Sequence, residues 1–509
     1  MPMLLDPTIR HPLYDVAATR RWEARAAAEL PPHTLMQRAG LATARLALAL
    51  APHARTVWIA CGPGNNGGDG LEAAMHLRRW GLDPVVTWLG SPERAPADAR
   101  ASWQRAHDAG VCFADEPPVL QAQDLCIDAL LGIGAARAPD GRMAEWLRLL
   151  HAGPAPVLAV DLPTGLDADT GAFHEDTTNK IAAGARPTCP GGQKGFESRT
   201  APRHTLSLLT RKPGLFTAQG RDACGQVWFD DLGVAPDEPP TAWLSGAPTP
   251  APRPHASHKG SFGDVAVIGG EALESGSAMN GAALLAASAA LHGGAGRVYV
   301  ALLGMPELRC DVAQPELMFR RAEALPLDAL TVVCGCGGGA SVKAQLPRVL
   351  QEAPRLVLDA DALNALAGDD ALAARLRERA ARGQATVLTP HPLEAARLLG
   401  IGAADVQQGR LAAARALADR FQAVAVLKGS GTVIAAPGQT PHINPTGNAR
   451  LSTAGTGDVL AGLIGARLAA GLVAFEAACA GVYQHGAAAD TWNEGRAFTA
   501  GALARALSP

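Results

Sequence analysis

Short apolar runs alternate with longer segments of helical periodicity along most of the chain. In the first half this pattern predicts two helices across residues 16–50, separated at 30–32, and a further helix at 71–80. Buried strands are predicted for the apolar runs at residues 56–60, 84–89, 126–131 and 157–161. Strands that alternate with helices predict a parallel sheet, with ligand sites at the carboxyl ends of its strands.

The second half of the chain repeats this alternation. A helix of small residues is predicted at 280–292, and another is predicted for the apolar run at 459–464. Strands are predicted at residues 264–268, 298–301, 330–333, 356–358, 385–388, 423–427 and 433–435. Glycine or polar residues follow nearly every one of these strands, which again places candidate ligand residues at one edge of a sheet.

The length of the chain predicts more than one domain. Its 509 residues exceed the size of an ordinary domain, so we predict an α/β fold in two domains, at residues 1–235 and 255–509. The intervening residues 236–254 are dense in proline and are predicted to form a semi-rigid linker without regular structure.

Composition narrows the classes of function. The chain is 48% hydrophobic and 18% charged, as is usual for globular proteins. Its net charge is -3, and because basic residues are not in excess, nucleic acid is not predicted as a partner. The first residues lack a basic segment before an apolar core, and the longest apolar runs are interrupted, so neither a signal peptide nor a membrane span is predicted. Nine scattered cysteines without a C-x-x-C pair predict reduced thiols in the cytoplasm.

A glycine-rich segment follows the first predicted strand. Gly62, Gly64 and Gly67 satisfy the G-x-G-x-x-G pattern of dinucleotide-binding sites. That pattern also requires an acid at the end of the second strand, and here Gly, Ser and Pro follow residue 89. A redox site of the Rossmann type is therefore the weaker interpretation of these glycines.

Polar side chains lie among and beyond these glycines. Asn65, Asn66 and Asp69 offer amide and carboxylate oxygens for a ribose, a neighbouring phosphate or a hard cation, and the alternative is a turn that only reverses the chain. Asp128 and Asp161 end two later strands, where either could cap a helix. Three acid-bearing strand ends in one sheet favour a site.

The stretch from Asn444 to Asp458 carries the main candidate chemistry of the second half. Gly-Thr-Gly precedes Asp458 and the helix predicted at 459–464, and a helix N-terminus offers unpaired N–H groups to phosphate. Asp458 has two interpretations, an N-terminal cap or a base that takes a proton from a hydroxyl. The preceding polar loop, with Asn444, Thr446 and Asn448, favours the base.

Further polar residues follow the other strands of this half. His391 between prolines, Lys428, Asp359 and Asp361 each have a structural explanation when taken singly, as a turn histidine, a solvated charge or helix caps. Jointly they supply what phosphoryl transfer requires, namely a cation near the phosphates, an anion hole and a base. No G-x-x-x-x-G-K-[ST] pattern is present, which excludes a Walker-type nucleotide site.

Segments of the first half resemble the NAD(P)H-hydrate epimerase family. They lie at residues 62–70, 128–134 and 160–171, and the resemblance extends over most of residues 15–235. It implies a Rossmann-like, doubly wound domain. Residues 174–199 depart from the family pattern as a polar insertion, for which a disordered loop, a lid and a translation-frame artefact are open alternatives.

The same resemblance implies roles for single residues. Asp161 would touch the reacting nicotinamide ring, and Asn66, Asp128 and Thr164 would hold a potassium ion. Thr164 stands where serine is common in the family and keeps the hydroxyl oxygen. The residues implied to contact the substrate are Asn65, Asn66, Gly67, Gly68, Asp69, Gly132, Ile133, Gly134 and Asp161.

An ordered set of motifs in the second half resembles the nucleotide-dependent NAD(P)H-hydrate dehydratases of the ribokinase-like superfamily. The motifs are His-Lys-Gly, Asp-Ala-Asp-Ala-Leu-Asn, Thr-Pro-His-Pro-x-Glu, Leu-Lys-Gly and Asn-Pro-Thr-Gly-Asn…Gly-Thr-Gly-Asp, across residues 255–507. The resemblance implies a ribokinase-like α/β sandwich with Asp458 as base and a magnesium ion bound with ADP. The family usually has Gly-Pro-Gly where this chain has Gly335-Cys336-Gly337.

Two groups of ligand residues follow from this second resemblance. Those implied to bind the hydrate are Ala283, Gly337, His391 and Asp458. Those implied to bind the nucleotide are Lys428, Gly429, Ser430, Gly431, Thr432 and Gly457.

Together the two resemblances imply a repair enzyme for hydrated NADH and NADPH. The first domain would interconvert the R and S hydrates, and the second would convert the S hydrate to NAD(P)H with release of AMP and phosphate from ADP. Small-molecule substrates and a homo-oligomer are expected. The alternative is a ribokinase-like kinase of a hydroxymethyl or vitamin compound, with a non-catalytic first domain for binding or dimerisation.

Overall fold

The chain folds into two compact units in a computed structural model. The structure describes residues 1–135, 137–174, 201–249, 252–305 and 308–509. The first unit comprises Met1–Asp6 and Pro12–Thr241, and the second comprises Pro7–His11 and Ala242–Pro509. The insertion predicted at 174–199 lies outside the described residues apart from His174. Within the described ranges, no helix is long and apolar enough to cross a membrane.

The first unit is built on one twisted sheet. Its neighbouring strands are parallel, except that Met3–Leu4 runs antiparallel to Gln226–Asp230. In spatial order the described strands are Met3–Leu4, Gln226–Asp230, Arg203–Leu208, Val157–Val160, Leu125–Ala129, Thr56–Cys61, Asp83–Trp88 and Cys112–Phe113. The described α-helices are Val16–Glu29, Thr34–Leu50, Asn65–Arg79, Ala97–Asp108, Gly141–Ala152 and Gly220–Ala223. This arrangement is the predicted doubly wound sheet.

The helix after the first central strand corrects one prediction. The polar segment at 65–69 was expected to be a loop before a helix at 71–80, but the helix begins at Asn65. Glycine usually disfavours helices by about 1 kcal/mol, which is why the pattern placed the start later. Here glycine is needed for close packing, because a Cβ on Gly67 would lie 2.0 Å from the carbonyl oxygen of Gly62.

The second unit is built on a larger, mixed sheet. Its strands are parallel as far as Val424–Leu427, and the next two pairings, to Val433–Ala435 and then His442–Ile443, are antiparallel. In spatial order the described strands are Met318–Phe319, Arg297–Gly304, Asp264–Ala272, Thr331–Cys334, Arg355–Leu358, Ala385–Leu388, Val424–Leu427, Val433–Ala435, His442–Ile443 and Ala242–Leu244. A further short strand, His11–Leu13, contains the residues at which the chain passes from one unit to the other.

Helices cover both faces of this second sheet. Because side chains alternate along a strand, Val265 and Val267 face one helical layer while Ala266 and Ile268 face the other. The first layer comprises Asn280–His292, Thr456–Ala469 and Ala474–Asp490. The second layer includes Val342–Glu352, Asp361–Ala367, Asp370–Ala381, Pro392–Leu399, Ala403–Gln408 and Arg410–Phe421. A last described helix spans Ala500–Ala506.

The proline-rich segment at 236–254 also departs from its prediction. The division between the compact units falls inside it, at Thr241 and Ala242. It is not devoid of regular structure, because Ala242–Leu244 forms a strand parallel to His442–Ile443. The prolines flank this strand and leave three residues, including Trp243, whose backbone N–H groups can join the ladder.

Candidate functional site

A cavity lies in the first unit where the strand order reverses. The reversal falls between Thr56–Cys61 and Leu125–Ala129, and the loops after two such strands diverge and leave a crevice. The cavity has a volume of about 790 Å³. The predicted residues that line it are Asn65, Asn66, Asp69, Gly132, Ile133, Gly134 and Asp161. Gly67 and Gly68 are buried in the helix that forms one wall, so their predicted substrate contacts are not supported by this placement.

Asp161 forms a buried ion pair at the wall of this cavity. It follows the strand Val157–Val160 in a left-handed backbone conformation (φ 69°), which costs a residue with a side chain about 1–2 kcal/mol. The ammonium of Lys212 donates to Asp161 Oδ1 and also to the carbonyl oxygen of Leu208 at 2.7 Å. The amide of Leu208 donates to the same carboxylate oxygen at 3.2 Å. The strained backbone and these bonds fix the carboxylate in one orientation.

Two further acids line the cavity near this ion pair. Burial raises the pKa of Asp69 well above its ordinary value, and the negative charge of Asp161 adds to the effect. Burial also raises the pKa of Glu23, again reinforced by Asp161. A fixed carboxylate and two acids with raised pKa values in one cavity can together accept and supply protons.

Asp128 and Thr164 form a second fixed group at the strand ends. Thr164 donates to Asp128 through its hydroxyl (2.7 Å to Oδ1) and its amide (3.0 Å to Oδ2), and Leu130 donates its amide to Oδ1 at 3.2 Å. Burial raises the pKa of Asp128, and the bonds from Thr164 oppose that rise. Two bonds occupy Oδ1, whereas Oδ2 accepts one and retains a lone pair for another ligand.

Asn66 presents an unsatisfied amide at the same end of the sheet. Its Nδ2 is buried without a hydrogen-bond partner, and its Oδ1 lies 3.1 Å from where a Cβ on Gly132 would stand. A buried amide without a partner is costly and calls for a ligand. Because the two ends of an amide group are distinguished only by their partners, either atom can face that ligand.

Two glycines of the fingerprint give a matched stability test. A Cβ on Gly62 would lie 1.8 Å from the carbonyl oxygen of Leu130, whereas a Cβ on Gly64 meets no atom within 4 Å. We expect Gly62→Ala to destabilise the first unit by about 1–3 kcal/mol, since the sheet must open to admit the methyl group. Gly64→Ala should cost less than about 1 kcal/mol. Urea unfolding of both variants measures the difference, and equal midpoints would contradict the close approach at Gly62.

The second unit also has a reversal of strand order, between Asp264–Ala272 and Thr331–Cys334. The glycine-rich loop Gly335–Gly339 leaves the sheet there. The contacts that hold it include the amides of Gly270 and Glu271, which donate to the carbonyl oxygens of Cys336 (2.9 Å) and Gly337 (2.7 Å), and the amide of Gly339, which donates to Asp361 (2.9 Å). The loop is therefore fixed before any ligand arrives.

Asp458 lies in the first turn of the helix Thr456–Ala469, next to Lys428. Gly455 precedes this helix in a left-handed conformation (φ 88°), so the chain turns sharply. Thr456 donates its amide to the carbonyl oxygen of Thr453 (3.3 Å), and the next two amides, of Gly457 and Asp458, stay open to a ligand. A Cβ on Gly457 would stand 3.3 Å from the ammonium nitrogen of Lys428. A helix N-terminus, a cation and a carboxylate therefore meet at one point, which suits a phosphate group and an adjacent hydroxyl.

Lys428 is held by a buried carboxylate. Its ammonium donates to Asp359 Oδ1 at 2.7 Å, and the hydroxyl of Thr389 donates to the same oxygen at 2.7 Å. Burial would lower the pKa of Lys428, but the charges of Asp359 and Glu394 outweigh burial and raise it. The lysine is thus a permanent cation in a fixed position.

A buried arginine supports the loop that carries Lys428. The guanidinium of Arg410 is 1% exposed and donates to the carbonyl oxygens of Leu427 and Lys428, each at 3.2 Å. A Cβ on Gly429 would lie 2.9 Å from this guanidinium. Arg410 therefore fixes the course of the segment that contains the predicted nucleotide residues Lys428, Gly429, Ser430, Gly431 and Thr432.

The polar loop before Asp458 is tied to the helix Ala474–Asp490. Gly447 donates its amide to Asp490 Oδ2 at 2.7 Å, and Asn448 donates its side-chain amide to Asp490 Oδ1 at 2.9 Å. Thr446 donates its hydroxyl to the carbonyl oxygen of Tyr483 at 2.8 Å. The loop owes its shape to these contacts with a later helix.

Family models match both halves of the chain. The model described as YjeF-related protein N-terminus matches residues 32–214, and the model described as NAD(P)H-hydrate dehydratase matches residues 265–508. A relative in Escherichia coli named bifunctional NAD(P)H-hydrate repair enzyme Nnr is 36% identical, over 95% of this chain and 90% of the relative. The chain belongs to the bifunctional NAD(P)H-hydrate repair enzyme family.

Two further relatives match the second half. The Neisseria meningitidis protein named ADP-dependent (S)-NAD(P)H-hydrate dehydratase is 44% identical, over 50% of this chain and 86% of the relative. A solved structure of the Bacillus subtilis ADP/ATP-dependent NAD(P)H-hydrate dehydratase, co-crystallised with ATP and Mg²⁺, is 29% identical, with a TM-score of 0.40 over 50% of this chain and 91% of that chain. Membership of the family confirms the predicted fold class, with a Rossmann-like first domain and a ribokinase-like second domain.

Two residues predicted to bind the hydrate, His391 and Ala283, stand at positions that already have a structural explanation. His391 caps the helix Pro392–Leu399, since its Nδ1 accepts from the amides of Leu393 (3.1 Å) and Glu394 (3.4 Å). Its side chain remains 45% exposed, so a ligand can still reach it. Ala283 is fully buried in the helix Asn280–His292, so its predicted contact with the hydrate is not supported by this placement.

Several residues of the two sites carried no signal in the sequence. Lys212 belongs to a Lys-Pro-Gly segment whose pattern indicates no role, and Glu23 lies in a helix rich in charged residues. Arg410 and Asp490 are single charged residues in helices, without a motif around them. Only their contacts with Asp161, the Lys428 loop and the polar loop reveal them.

The pH dependence of dehydration should report the ionisation of Asp458. Burial raises its pKa to about 7, the negative charge of Asp359 adds to this rise, and the positive charge of Lys428 opposes it. A base must be unprotonated, so kcat/KM should fall about tenfold per pH unit below pH about 7 and level off above it. Initial rates measured across the pH range test this prediction. A fall in kcat/KM that begins only near about pH 4, the usual pKa of a carboxyl group, would contradict it.

Proposed function

We propose that the chain repairs hydrated NADH and NADPH with two activities. The second unit dehydrates the S hydrate with ADP as phosphate donor, and the first unit interconverts the R and S hydrates. The observation that carries this proposal is the meeting of Asp458, the ammonium of Lys428 and the open amides before Val459 at one point. Names of the relatives support the choice of hydrate and ADP.

Residues of the second unit divide the chemical work of dehydration. Asp458 accepts the proton of the hydrate hydroxyl while that oxygen attacks the terminal phosphate of ADP. Lys428 and the helix amides stabilise the charge on the transferred group, and AMP leaves. The phosphorylated hydrate then loses phosphate and becomes NADH or NADPH. The overall balance is one hydrate and one ADP converted to one NAD(P)H, one AMP and one phosphate.

A magnesium ion accompanies ADP in this proposal. The phosphates of the nucleotide supply most of its ligands, and Asp359 Oδ2 is a hard donor available beside Lys428. The ion would supply positive charge to the phosphates. Lys428 and the amides of the helix act on the same group from the protein side.

Residues of the first unit support an epimerase. Asp161, oriented by Lys212, accepts the proton of the hydrate hydroxyl while the bond from that carbon to the ring nitrogen breaks, and Asp69 or Glu23 protonates the nitrogen. The reverse proton transfers reclose the ring on the other face of the carbonyl group. Epimerisation returns the same atoms in the opposite configuration and needs no co-substrate.

A potassium ion fits the donors that the first unit offers. Asp128 Oδ2 and the Thr164 hydroxyl each retain a lone pair, and the unsatisfied amide of Asn66 lies at the same end of the sheet. Bound there, the ion would add positive charge at the strand ends. The homo-oligomer and the cytoplasmic location stay predictions.

One incubation tests both activities. The protein is mixed with R and S hydrates of NADH, ADP and Mg²⁺, and the recovery of NADH absorbance, AMP and phosphate is followed. Complete recovery from both epimers supports the proposal. Recovery from the S hydrate alone identifies a non-catalytic first unit, and a stable phosphorylated product without NADH identifies the rival kinase. Omission of ADP is the control: it should prevent NADH formation, whereas the R and S hydrates should still interconvert.

A further inference from the structure

A thiol stands between two carboxylates in the second unit. The ligand atoms of Cys336, Asp359 and Asp458 all lie within 4.8 Å of one another. Cys336 is fully buried and Asp359 is 1% exposed, so two of the three groups are shielded from water. The sulfur of Cys336 lies 4.0 Å from Asp359 Oδ2.

The distances suit a tetrahedral metal ion after a small adjustment. Zinc binds thiolate sulfur at about 2.3 Å and carboxylate oxygen at about 2.1 Å, so the sulfur and oxygen of a tetrahedral site are about 3.6 Å apart. The observed 4.0 Å exceeds this separation by a few tenths of an ångström. All pairs of ligand atoms lie within 4.8 Å, so binding must draw them together by at most about 1 Å.

Neighbouring contacts already orient two of the ligands. Lys428 and Thr389 both donate to Asp359 Oδ1, which leaves Oδ2 directed toward the thiol. The carbonyl oxygen of Cys336 accepts from Gly270 at 2.9 Å, so the cysteine backbone is fixed as well. Partners of this kind in the surrounding shell orient metal ligands and tune their affinity.

The charges of the cluster also balance with a divalent ion. In the metal-free protein the Cys336 thiol is fully buried beside Asp359. When a metal ion binds, the S–H bond breaks, the sulfur keeps the electron pair and the proton passes to solvent. The thiolate and two carboxylates then carry three negative charges, which the ion and Lys428 neutralise together.

We propose that Cys336, Asp359 and Asp458 form a binding site for a soft divalent cation, such as Zn²⁺, that inhibits dehydration. Thiolate ligands select zinc over magnesium, which prefers six oxygen ligands. The inhibition rests on the proposed function, because an ion bound to Asp458 prevents that carboxylate from accepting a proton. Binding itself does not rest on that function.

Binding is tested with Cd²⁺ and Zn²⁺ on the full chain in excess Mg²⁺. Cd²⁺ is followed by its thiolate charge-transfer absorption, and Zn²⁺ by calorimetry and by proton release. Cys336→Ser is compared with Cys112→Ser, because Cys112 is an exposed thiol outside the cluster. We expect the wild type and Cys112→Ser to show the absorption, and Cys336→Ser to lose it and to bind Zn²⁺ at least about tenfold more weakly.

Inhibition is measured on the same three proteins. Each rate of dehydration is referred to the metal-free rate of that protein, and a chelator should restore it in the wild type and Cys112→Ser. Epimerisation should be unaffected by the ion.

Equal absorption and affinity in Cys336→Ser, or no binding to the wild type, would overturn the site. If Cys336→Ser fails to fold, Asp458→Asn takes its place in the Zn²⁺ calorimetry, where unchanged affinity is the overturning result. If the metal ion binds but none of the three proteins dehydrates the hydrate, the metal site stands and the proposed function is rejected.

Discussion

Replacing Asp458 by Asn is expected to lower kcat of ADP-dependent dehydration by about 10²–10⁴-fold, the usual contribution of a general base. Asparagine has nearly the same shape and remains compatible with the first turn of the helix Thr456–Ala469, so the fold should persist. It cannot accept the proton of the hydrate hydroxyl. Single-turnover measurements of NADH formation from the S hydrate check this, since they separate the chemical step from product release.

The structure supplies a matched control for this variant. Asp370 also lies in the first turn of a helix, Asp370–Ala381, and is exposed. Asp370→Asn removes the same charge from a helix N-terminus and should leave dehydration unchanged. Epimerisation in the Asp458→Asn protein should also be unchanged. A dehydration rate in Asp458→Asn within a few-fold of the wild type would show that this carboxylate only caps its helix.

Replacing Asp161 by Asn is expected to lower the rate of R to S interconversion by a similar factor, about 10²–10⁴-fold. The carboxylate is held by Lys212 and by the amide of Leu208, and the amide of asparagine cannot take a proton from the hydrate. Removal of one partner of a buried ion pair also destabilises the fold, by about 3–5 kcal/mol. The rate is measured by the decay of one purified hydrate, at a temperature where near-ultraviolet circular dichroism shows the first unit folded.

The ion pair of Arg78 and Asp83 provides the comparison for this second variant. Their charged atoms are 2.8 Å apart, and the side chain of Asp83 is 77% exposed. Asp83→Asn removes an ion pair at the surface of the same unit and should change neither the stability nor the rate appreciably. Dehydration of the S hydrate should persist in Asp161→Asn. Epimerisation at the wild-type rate in that variant would assign the first unit a binding role.

Most of the fold could be predicted because apolar runs fix the strands. Residues 385–388 and 433–435 were predicted with the bounds that the structure shows, as was the helix Asn280–His292. Errors fell where tertiary contacts override local preference. The helix Asn65–Arg79 has glycines in its first turn, which local preference disfavours. Prolines surround the strand Ala242–Leu244, and its pairing partner lies about two hundred residues later in the chain.

The candidate sites were predicted as far as their motifs extend. Asp161, Lys428 and Asp458 stand in recurrent patterns at strand ends or helix starts. The structure places Asp161 in a cavity wall and Lys428 beside the helix turn that carries Asp458. Lys212 and Arg410 stand in no such pattern. Their importance arises from burial beside groups that are distant in sequence, and no local rule reports that burial.

The loop Gly335–Gly339 has a consequence for how this site can change in evolution. Gly335, Gly337 and Gly339 have left-handed backbones, and a Cβ on Gly338 would lie 2.8 Å from the Cβ of Val342. Position 336 is therefore the one place in this run that accepts a side chain without a change in the path of the loop. A single residue thus decides whether a sulfur atom stands beside Asp458, and exchange at position 336 need not alter the path of the loop.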